Sequence, residues 1–122
     1  MSNLISGYWM RPSDVDEGTA DFLWIGENGR IVHRINYKHG PFVMTLWCQP
    51  LEGDTFAVQL KPKSESHRVV ITATDEALTM EHLDLKNPKC EFERIDSSQI
   101  SAPFKKDLAW AEKTMDKLEK NS

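Results

Sequence analysis

The sequence lacks the features that mark several specialised protein classes. It has only two cysteines, six glycines and six prolines among 122 residues, which excludes a disulfide-rich scaffold, a collagen and a low-complexity chain. It contains no run of about eighteen apolar residues, and its amino terminus has no basic segment followed by an apolar one. We therefore expect neither a membrane-spanning helix nor a secretory signal, and a cytoplasmic location follows as the default.

An excess of positive charge is also missing. Lys and Arg total 15 against 19 for Asp and Glu, a net charge of −4, so the chain lacks the positive field that attracts phosphate backbones. Apolar residues make up 39% and charged residues 28%, which is typical of a soluble globule with one core. We expect residues 1–122 to form a single domain that has no nucleic-acid partner.

The cysteines and the known catalytic motifs point to no metal or cofactor. Cys48 and Cys90 are 42 residues apart, and each lies in an apolar alternating run, which predicts two buried, unbridged thiols. No GxSxG, HExxH, P-loop or dinucleotide-binding pattern is present. The sequence therefore leans away from an enzyme, and it predicts no metal site and no cofactor.

Alternation of apolar and polar residues dominates from residue 6 to residue 95 and predicts eight strands. The predicted strands are 6–11, 21–26, 30–37, 42–49, 55–61, 68–74, 77–83 and 89–95. Short connections let neighbouring strands pair antiparallel, so we expect an all-β fold, an eight-stranded up-and-down barrel over residues 6–95. The same alternation is compatible with a two-sheet β-sandwich.

The connections between the strands alternate between short and long. Asn28-Gly29 predicts a two-residue hairpin turn, whereas the first, third, fifth and seventh connections are longer and share one rim in a meander. Those longer connections are residues 12–20, 38–41, 62–67 and 84–88. Functional loops concentrate where a scaffold leaves an opening, so this rim is the predicted mouth of the barrel.

The carboxy-terminal segment changes to a helical period. Ser101 is a suitable N-cap, Pro103 suits the first turn, and a stripe of apolar side chains predicts a helix over residues 103–120 that packs on the outside of the barrel. The stripe comprises Phe104, Leu108, Ala111, Met115 and Leu118. Trp110 lies away from it, where it either packs against the barrel wall or contacts a partner.

Three short motifs resemble those of the lipocalins and their calycin relatives. They are Gly7-x-Trp9 in the first strand, Thr74-Asp75 between the sixth and seventh strands, and Arg94 in the eighth. The resemblance implies that these residues meet at the closed end of an eight-stranded barrel. Because Trp9 offers a large apolar face on which the Arg94 guanidinium can stack, we assign Trp9, Thr74, Asp75 and Arg94 to stability.

The candidate ligand site combines the predicted interior with the predicted mouth. If Trp9 points inward, alternation places His33, Tyr37 and His82 as polar groups among apolar residues, where each needs a hydrogen-bond partner. The complete predicted interior set is Phe22, Trp24, Ile31, His33, Ile35, Tyr37, Met44, Leu46, Cys48, Phe56, Val58, Leu60, Val69, Ile71, Leu78, Met80, His82, Cys90 and Phe92. Of these, the adaptable Met44 and Met80 suit a pocket.

Charges on the rim complete the candidate site. Lys38, Lys61 and Lys63 flank the route into the barrel and would attract a carboxylate or phosphate, so we expect the apolar body of a ligand inside and its anionic end among the lysines. Other rim charges are Asp14, Asp16, Glu17, His39, His67, Lys86 and Lys89.

Three functions from different classes fit this sequence. The leading hypothesis is a small calycin-like barrel that binds an apolar or amphipathic small molecule in its cavity. A protein-interaction module, such as an immunity protein or inhibitor with a filled barrel, fits the small size and the acidity. A cyclase or isomerase with His33 or Tyr37 as acid or base is a further alternative.

Overall fold

The computed structural model describes residues 4–14, 18–84 and 89–121, which form eight strands and a carboxy-terminal helix. A one-turn 3₁₀ helix, Ser97–Gln99, joins the last strand to the α-helix. The elements are β1 (Gly7–Pro12), β2 (Ala20–Ile25), β3 (Arg30–Tyr37), β4 (Gly40–Pro50), β5 (Thr55–Gln59), β6 (Ser66–Ala73), β7 (Ala77–His82), β8 (Lys89–Ile95) and α1 (Ala102–Lys120).

The eight strands form one closed antiparallel barrel. Each strand pairs with the next in the chain, and β8 pairs back with β1 through Trp9 and Arg94, so the sheet has no open sandwich edge. The predicted barrel with a carboxy-terminal helix is confirmed, and the sandwich alternative is wrong. The strand bounds agree with the predicted ones to within one or two residues because the turn residues punctuate the alternation clearly.

The connections divide the barrel into two ends. The turns 26–29, 51–54 and 74–76 lie with the start of β1 at one end, which we call the closed end. The connecting residues 13–14, 18–19, 38–39, 60–65 and 83–84 lie at the other end, which we call the mouth. The turn at 26–29 is longer than the predicted two-residue hairpin: Gly29 has a positive φ of 92° and donates to the Gly26 carbonyl, while Asn28 stays outside the left-handed region.

A tightly packed apolar core fills the barrel toward the closed end. Trp9, Leu23, Ile25 and Ile31 are completely buried, and side chains from all eight strands meet there. The other buried members are Ile5, Leu46, Cys48, Phe56, Val58, Val69, Ile71, Leu78, Met80 and Phe92. Because apolar side chains fill this part of the interior, the polar side chains that point into the barrel beyond the core lie in its mouth half.

The predicted register of β2 is wrong. Leu23 and Ile25 point into the barrel, whereas Phe22 and Trp24 point outward and pack in the cluster beneath α1. The run from Phe22 to Ile25 is apolar on both faces because the helix covers the outer face, so alternation alone does not distinguish inside from outside.

Helix α1 lies on the outer wall of the barrel and is anchored along β3. Ser101 caps the helix by accepting a hydrogen bond from the Phe104 amide at 3.3 Å, and the Phe104 ring stacks on Phe22 with centroids 5.3 Å apart. Arg34 pairs with Asp107 at 2.6 Å, with each side chain 17% exposed. In the part of the chain that the structure describes, neither α1 nor any other helix has the length and apolarity to cross a membrane.

Candidate functional site

The three short motifs noted in the sequence, which contain Trp9, Asp75 and Arg94, lie together at the closed end. The guanidinium of Arg94 stacks on the Trp9 ring at 4.1 Å from its centroid, and Arg94 Nε donates a hydrogen bond of 2.9 Å to the Asp75 carbonyl. Arg94 also donates to the carbonyls of Ser6 and Leu4, while Trp9 Nε1 donates to a carbonyl in the same amino-terminal segment. These contacts join the amino-terminal segment, β8 and the turn between β6 and β7, and together they close this end of the barrel. Their role is structural.

The Thr74-Asp75 turn is held by its own side chain. Thr74 Oγ1 accepts hydrogen bonds from the amides of Glu76 and Ala77, at 3.3 and 3.1 Å. The Glu76 carbonyl in turn accepts from the Arg94 amide at 2.8 Å, which joins the turn to β8. Thr74 and Asp75 therefore fix the position of the Arg94 side chain over Trp9.

An ion pair lies inside the mouth half of the barrel. Arg11 continues the inward face that begins at Trp9, and its guanidinium lies 3.6 Å from the carboxylate of Asp21, a residue that is only 2% exposed. Asp21 accepts a hydrogen bond from the Asn36 amide at 2.9 Å, beyond the last β2–β3 pair. Burial raises the pKa of Asp21, and the Asn36 amide and Arg11 oppose that rise.

His33 and His82 complete this group, and we call Arg11, Asp21, His33 and His82 the inner polar cluster. His33 is 9% exposed, and burial, with smaller contributions from His82 and Arg11, lowers its pKa to about 3. Burial and the nearby His67 lower the pKa of His82 as well. Both imidazoles are therefore neutral at physiological pH.

The Nε2 atom of His33 is buried and has no hydrogen-bond partner among the described residues. The ring lies against the edge of Phe92, with centroids 5.6 Å apart, and His33 faces Met44 directly across the β3–β4 ladder. A buried unsatisfied polar atom costs about 1 to 3 kcal/mol, so His33 reduces the stability of the folded barrel as it stands.

The two methionines of the predicted site differ in position. Met44 is partly buried at the edge of the core that faces the mouth. Met80 is 3% exposed and pairs with Cys90 on β8. Met80 is thus part of the packed core, while Met44 borders the inner polar cluster.

Three apolar side chains lie at the mouth on the side of β3, β4 and β5, and we call them the apolar lip. Tyr37, Phe42 and Leu60 are 52%, 52% and 51% exposed; Tyr37 and Phe42 lie on the inward faces of β3 and β4, and Leu60 follows the end of β5. Tyr37 meets Phe42 edge to face, with centroids 6.2 Å apart. The prediction that Tyr37 and Leu60 lie in the interior is wrong, because Tyr37 is the last residue of β3, beyond the core, and Leu60 follows the end of β5.

The rim lysines lie on the turns beside the apolar lip. Lys38 is exposed on the β3–β4 turn, and Lys61 and Lys63 are exposed between β5 and β6. Lys63 has a φ of 68°, a left-handed conformation that costs a non-glycine residue about 1 to 2 kcal/mol. Three other predicted rim charges, at Asp16, Glu17 and Lys86, lie outside the described residues.

The structure brings part of the predicted site together and adds two residues. His33, His82 and Met44 lie near one another in the mouth half, but Tyr37 is four residues, or about 13 Å, along β3 from His33. Arg11 and Asp21 were missed. Arg11 could have been predicted to point inward, because it lies two residues after the inward-pointing Trp9. Asp21 could be predicted to point inward only with the correct register of β2.

The described residues give no support for a metal centre or a redox pair. Groups of three or more possible ligands among His, Cys, Asp and Glu are absent from residues 4–14, 18–84 and 89–121. Cys48 and Cys90, both described, form no disulfide; Cys48 is buried and Cys90 partly buried. Burial raises the pKa of the Cys48 thiol to about 11, so this thiol is protonated at neutral pH.

Comparison of the chain with protein families, curated proteins and solved structures found no match. These comparisons identify no family for the chain, and the likeness to lipocalins stays a prediction from its three motifs.

Proposed function

We propose that the protein binds a small amphipathic anion in the mouth half of its barrel. The observation that carries this proposal is the inner polar cluster, and above all the buried, unpartnered Nε2 of His33. Polar groups inside an apolar barrel reduce stability unless they are paired, and such groups concentrate at functional sites. A ligand headgroup that bonds to this cluster would supply the missing partner.

Arg11 provides the charge that would receive an anion. Its second carboxylate partner, Asp14, lies 3.3 Å away with a side chain 76% exposed. Exposed ion pairs contribute little to stability, so a ligand carboxylate or phosphate can replace Asp14 at small cost. Asp21, which is only 2% exposed, keeps Arg11 oriented during that exchange.

The apolar lip supplies the other half of the recognition. Tyr37, Phe42 and Leu60 expose about half of their surfaces at the mouth, and a ligand's hydrocarbon part would cover them. Lys38, Lys61 and Lys63 add positive charge beside the lip, which favours the approach of an anion. Since packed side chains fill the closed half, we now place the anionic end of the ligand at the cluster and its apolar body at the lip.

A titration with a dansylated medium-chain fatty acid and its uncharged methyl ester tests the proposal. We expect the acid to bind more tightly than the ester, with part of the acid's affinity lost in salt. Leu60→Ala is expected to weaken binding about fivefold through lost apolar contact. Leu51→Ala is the matched control, because Leu51 is equally exposed, at 51%, but lies at the closed end.

Two results would reject the mouth site. One is the absence of saturable binding for both the acid and the ester. The other is an equal effect of Leu60→Ala and Leu51→Ala, since that would place the probe elsewhere. His33→Phe, which removes the unpartnered nitrogen, should weaken the acid more than the ester.

A protein-interaction role is the competing proposal, and exposed Trp110 favours it. Trp110 is 52% exposed on α1, and aromatic side chains of this kind anchor many protein interfaces. Trp110→Ala should leave probe binding at the mouth unchanged. If neither probe binds to the wild type, the interaction role becomes the better account of the protein.

A further inference from the structure

A cavity of about 450 Å³ lies outside the barrel, between its outer wall and α1. Its volume is within the range of about 300 to 1,000 Å³ that is usual for small-molecule pockets. It is separate from the mouth, since its walls come from outward-facing strand residues and from the helix.

The floor of the cavity is formed by three neighbouring side chains, Tyr8, Trp24 and Val32. Tyr8 pairs with Trp24 across β1 and β2, and Trp24 pairs with Val32 across β2 and β3. The Trp24 indole lies over Gly26, where a Cβ atom would be only 2.6 Å from its Cη2. The absence of a side chain at Gly26 therefore leaves room for the Trp24 indole.

The roof and the opening come from α1. Leu108 and Met115 line the cavity from the helix, and Ala109 and Glu112 lie at its exposed side. The ion pairs that anchor the helix are made with β3, so the helix is held closely on that side. The cavity remains on the side of β1 and β2, where Tyr8 and Trp24 project.

Two charged side chains line the cavity, Arg30 and Glu112. The Arg30 guanidinium is bound by Asp116 at 2.7 Å and by Glu119, so its charge is already paired. Glu112 is exposed at the opening, and its carboxylate forms no ion pair within residues 4–14, 18–84 and 89–121. The lining therefore offers one carboxylate beside two aromatic rings, whose faces attract cations.

We infer that this cavity binds a small organic cation, such as a quaternary or aryl ammonium compound. Its apolar part lies against Tyr8 and Trp24, and Glu112 provides the counter-charge. The aromatic floor disfavours a strongly hydrated metal ion, and the Glu112 carboxylate disfavours an anion. The ligand class is opposite in charge to the one proposed for the mouth, so the two sites are tested independently.

Phenyltrimethylammonium and benzenesulfonate are suitable probes because they share a ring and differ in the sign of their charge. Binding is followed through the indole N–H signal of Trp24 in ¹⁵N NMR spectra, which Trp24→Phe identifies. We expect a saturable shift with the cation and none with the sulfonate. Glu112→Gln should weaken cation binding about fivefold, as expected for the loss of one partly screened charge contact.

Matched variants separate the cavity from the rest of the surface. Ala109→Trp fills the opening from an exposed helix position and should abolish the shift, whereas Ala102→Trp, at another exposed alanine of α1, should not. Glu52→Gln, on an exposed closed-end turn, is the control for Glu112→Gln. The inference is overturned if the cation gives no saturable shift, if the sulfonate binds equally well, or if neither Ala109→Trp nor Glu112→Gln changes the affinity.

Discussion

Mild acid should destabilise this protein through one buried histidine. Burial, His82 and Arg11 together lower the pKa of His33 from an ordinary value of 6.5 to about 3 in the folded protein. In the unfolded chain His33 is exposed to water and titrates normally. The unfolded state therefore binds a proton below pH 6.5 that the folded state does not accept until the pH approaches 3.

The sign and size of the effect follow from this difference. The contribution of His33 to folding stability is complete above pH 6.5 and falls as the pH decreases toward 3. Between pH 7.5 and pH 5.0 the expected loss from this residue alone is about 2 kcal/mol. His82, whose pKa is also lowered, acts in the same direction, and the raised pKa of Asp21 acts in the opposite direction at more acidic pH.

Urea denaturation at the two pH values measures the loss, and His33→Phe isolates its source. The phenyl ring keeps the contact with Phe92 but cannot be protonated, so the variant should lose about 2 kcal/mol less than the wild type on acidification. His39→Gln, on the exposed β3–β4 turn, is the control and should retain the wild-type response. Equal responses in the wild type and His33→Phe would refute the reasoning, as would an NMR titration in which the folded His33 ring becomes protonated near pH 6.

Three further predictions concern stability. In a double-mutant cycle, Trp9→Ala and Arg94→Ala should be non-additive in urea denaturation because the guanidinium stacks on the indole at 4.1 Å; additive losses would exclude that contact. Deleting residues 103–122 should weaken the barrel yet preserve its β-sheet circular dichroism, since Phe104 packs on the outer wall; complete loss of the strand signal would contradict this. Lys63→Gly should raise the free energy of unfolding by about 1 kcal/mol by relieving the left-handed φ, while weakening probe binding; unchanged stability would show that no strain is present there.

The contacts at the closed end were the easiest to predict from the sequence. Gly7-x-Trp9, Thr74-Asp75 and Arg94 lie far apart in the chain, but in a meander the start of the first strand, the sixth turn and the end of the last strand share one end. The contacts between Arg94, Asp75 and Trp9 follow that topology. The resemblance predicted that these residues meet, and the connectivity of the meander accounts for it.

The arrangement of residues at the mouth was harder to predict from the sequence. Alternation placed His33 and Met44 on the inward face, yet it did not indicate where the core ends and where a half-exposed lip begins. In the sequence Tyr37 and Leu60 continue the same alternating pattern as the buried residues, but Tyr37 ends β3 beyond the core and Leu60 follows the end of β5. The ion pair of Arg11 and Asp21 depends in addition on the register of β2.

By itself the sequence determined the eight strands, their antiparallel order and the outer helix, because turn residues and hydrophobic periods are local properties of the chain. Only the tertiary structure decided which face of β2 is inside, since the helix makes both faces apolar. It also decided that His33 is left with a buried, unpartnered nitrogen and that α1 leaves a cavity over Tyr8 and Trp24. Both features depend on distances between elements remote in the chain, and such distances are set by packing and leave no periodic signal in the sequence.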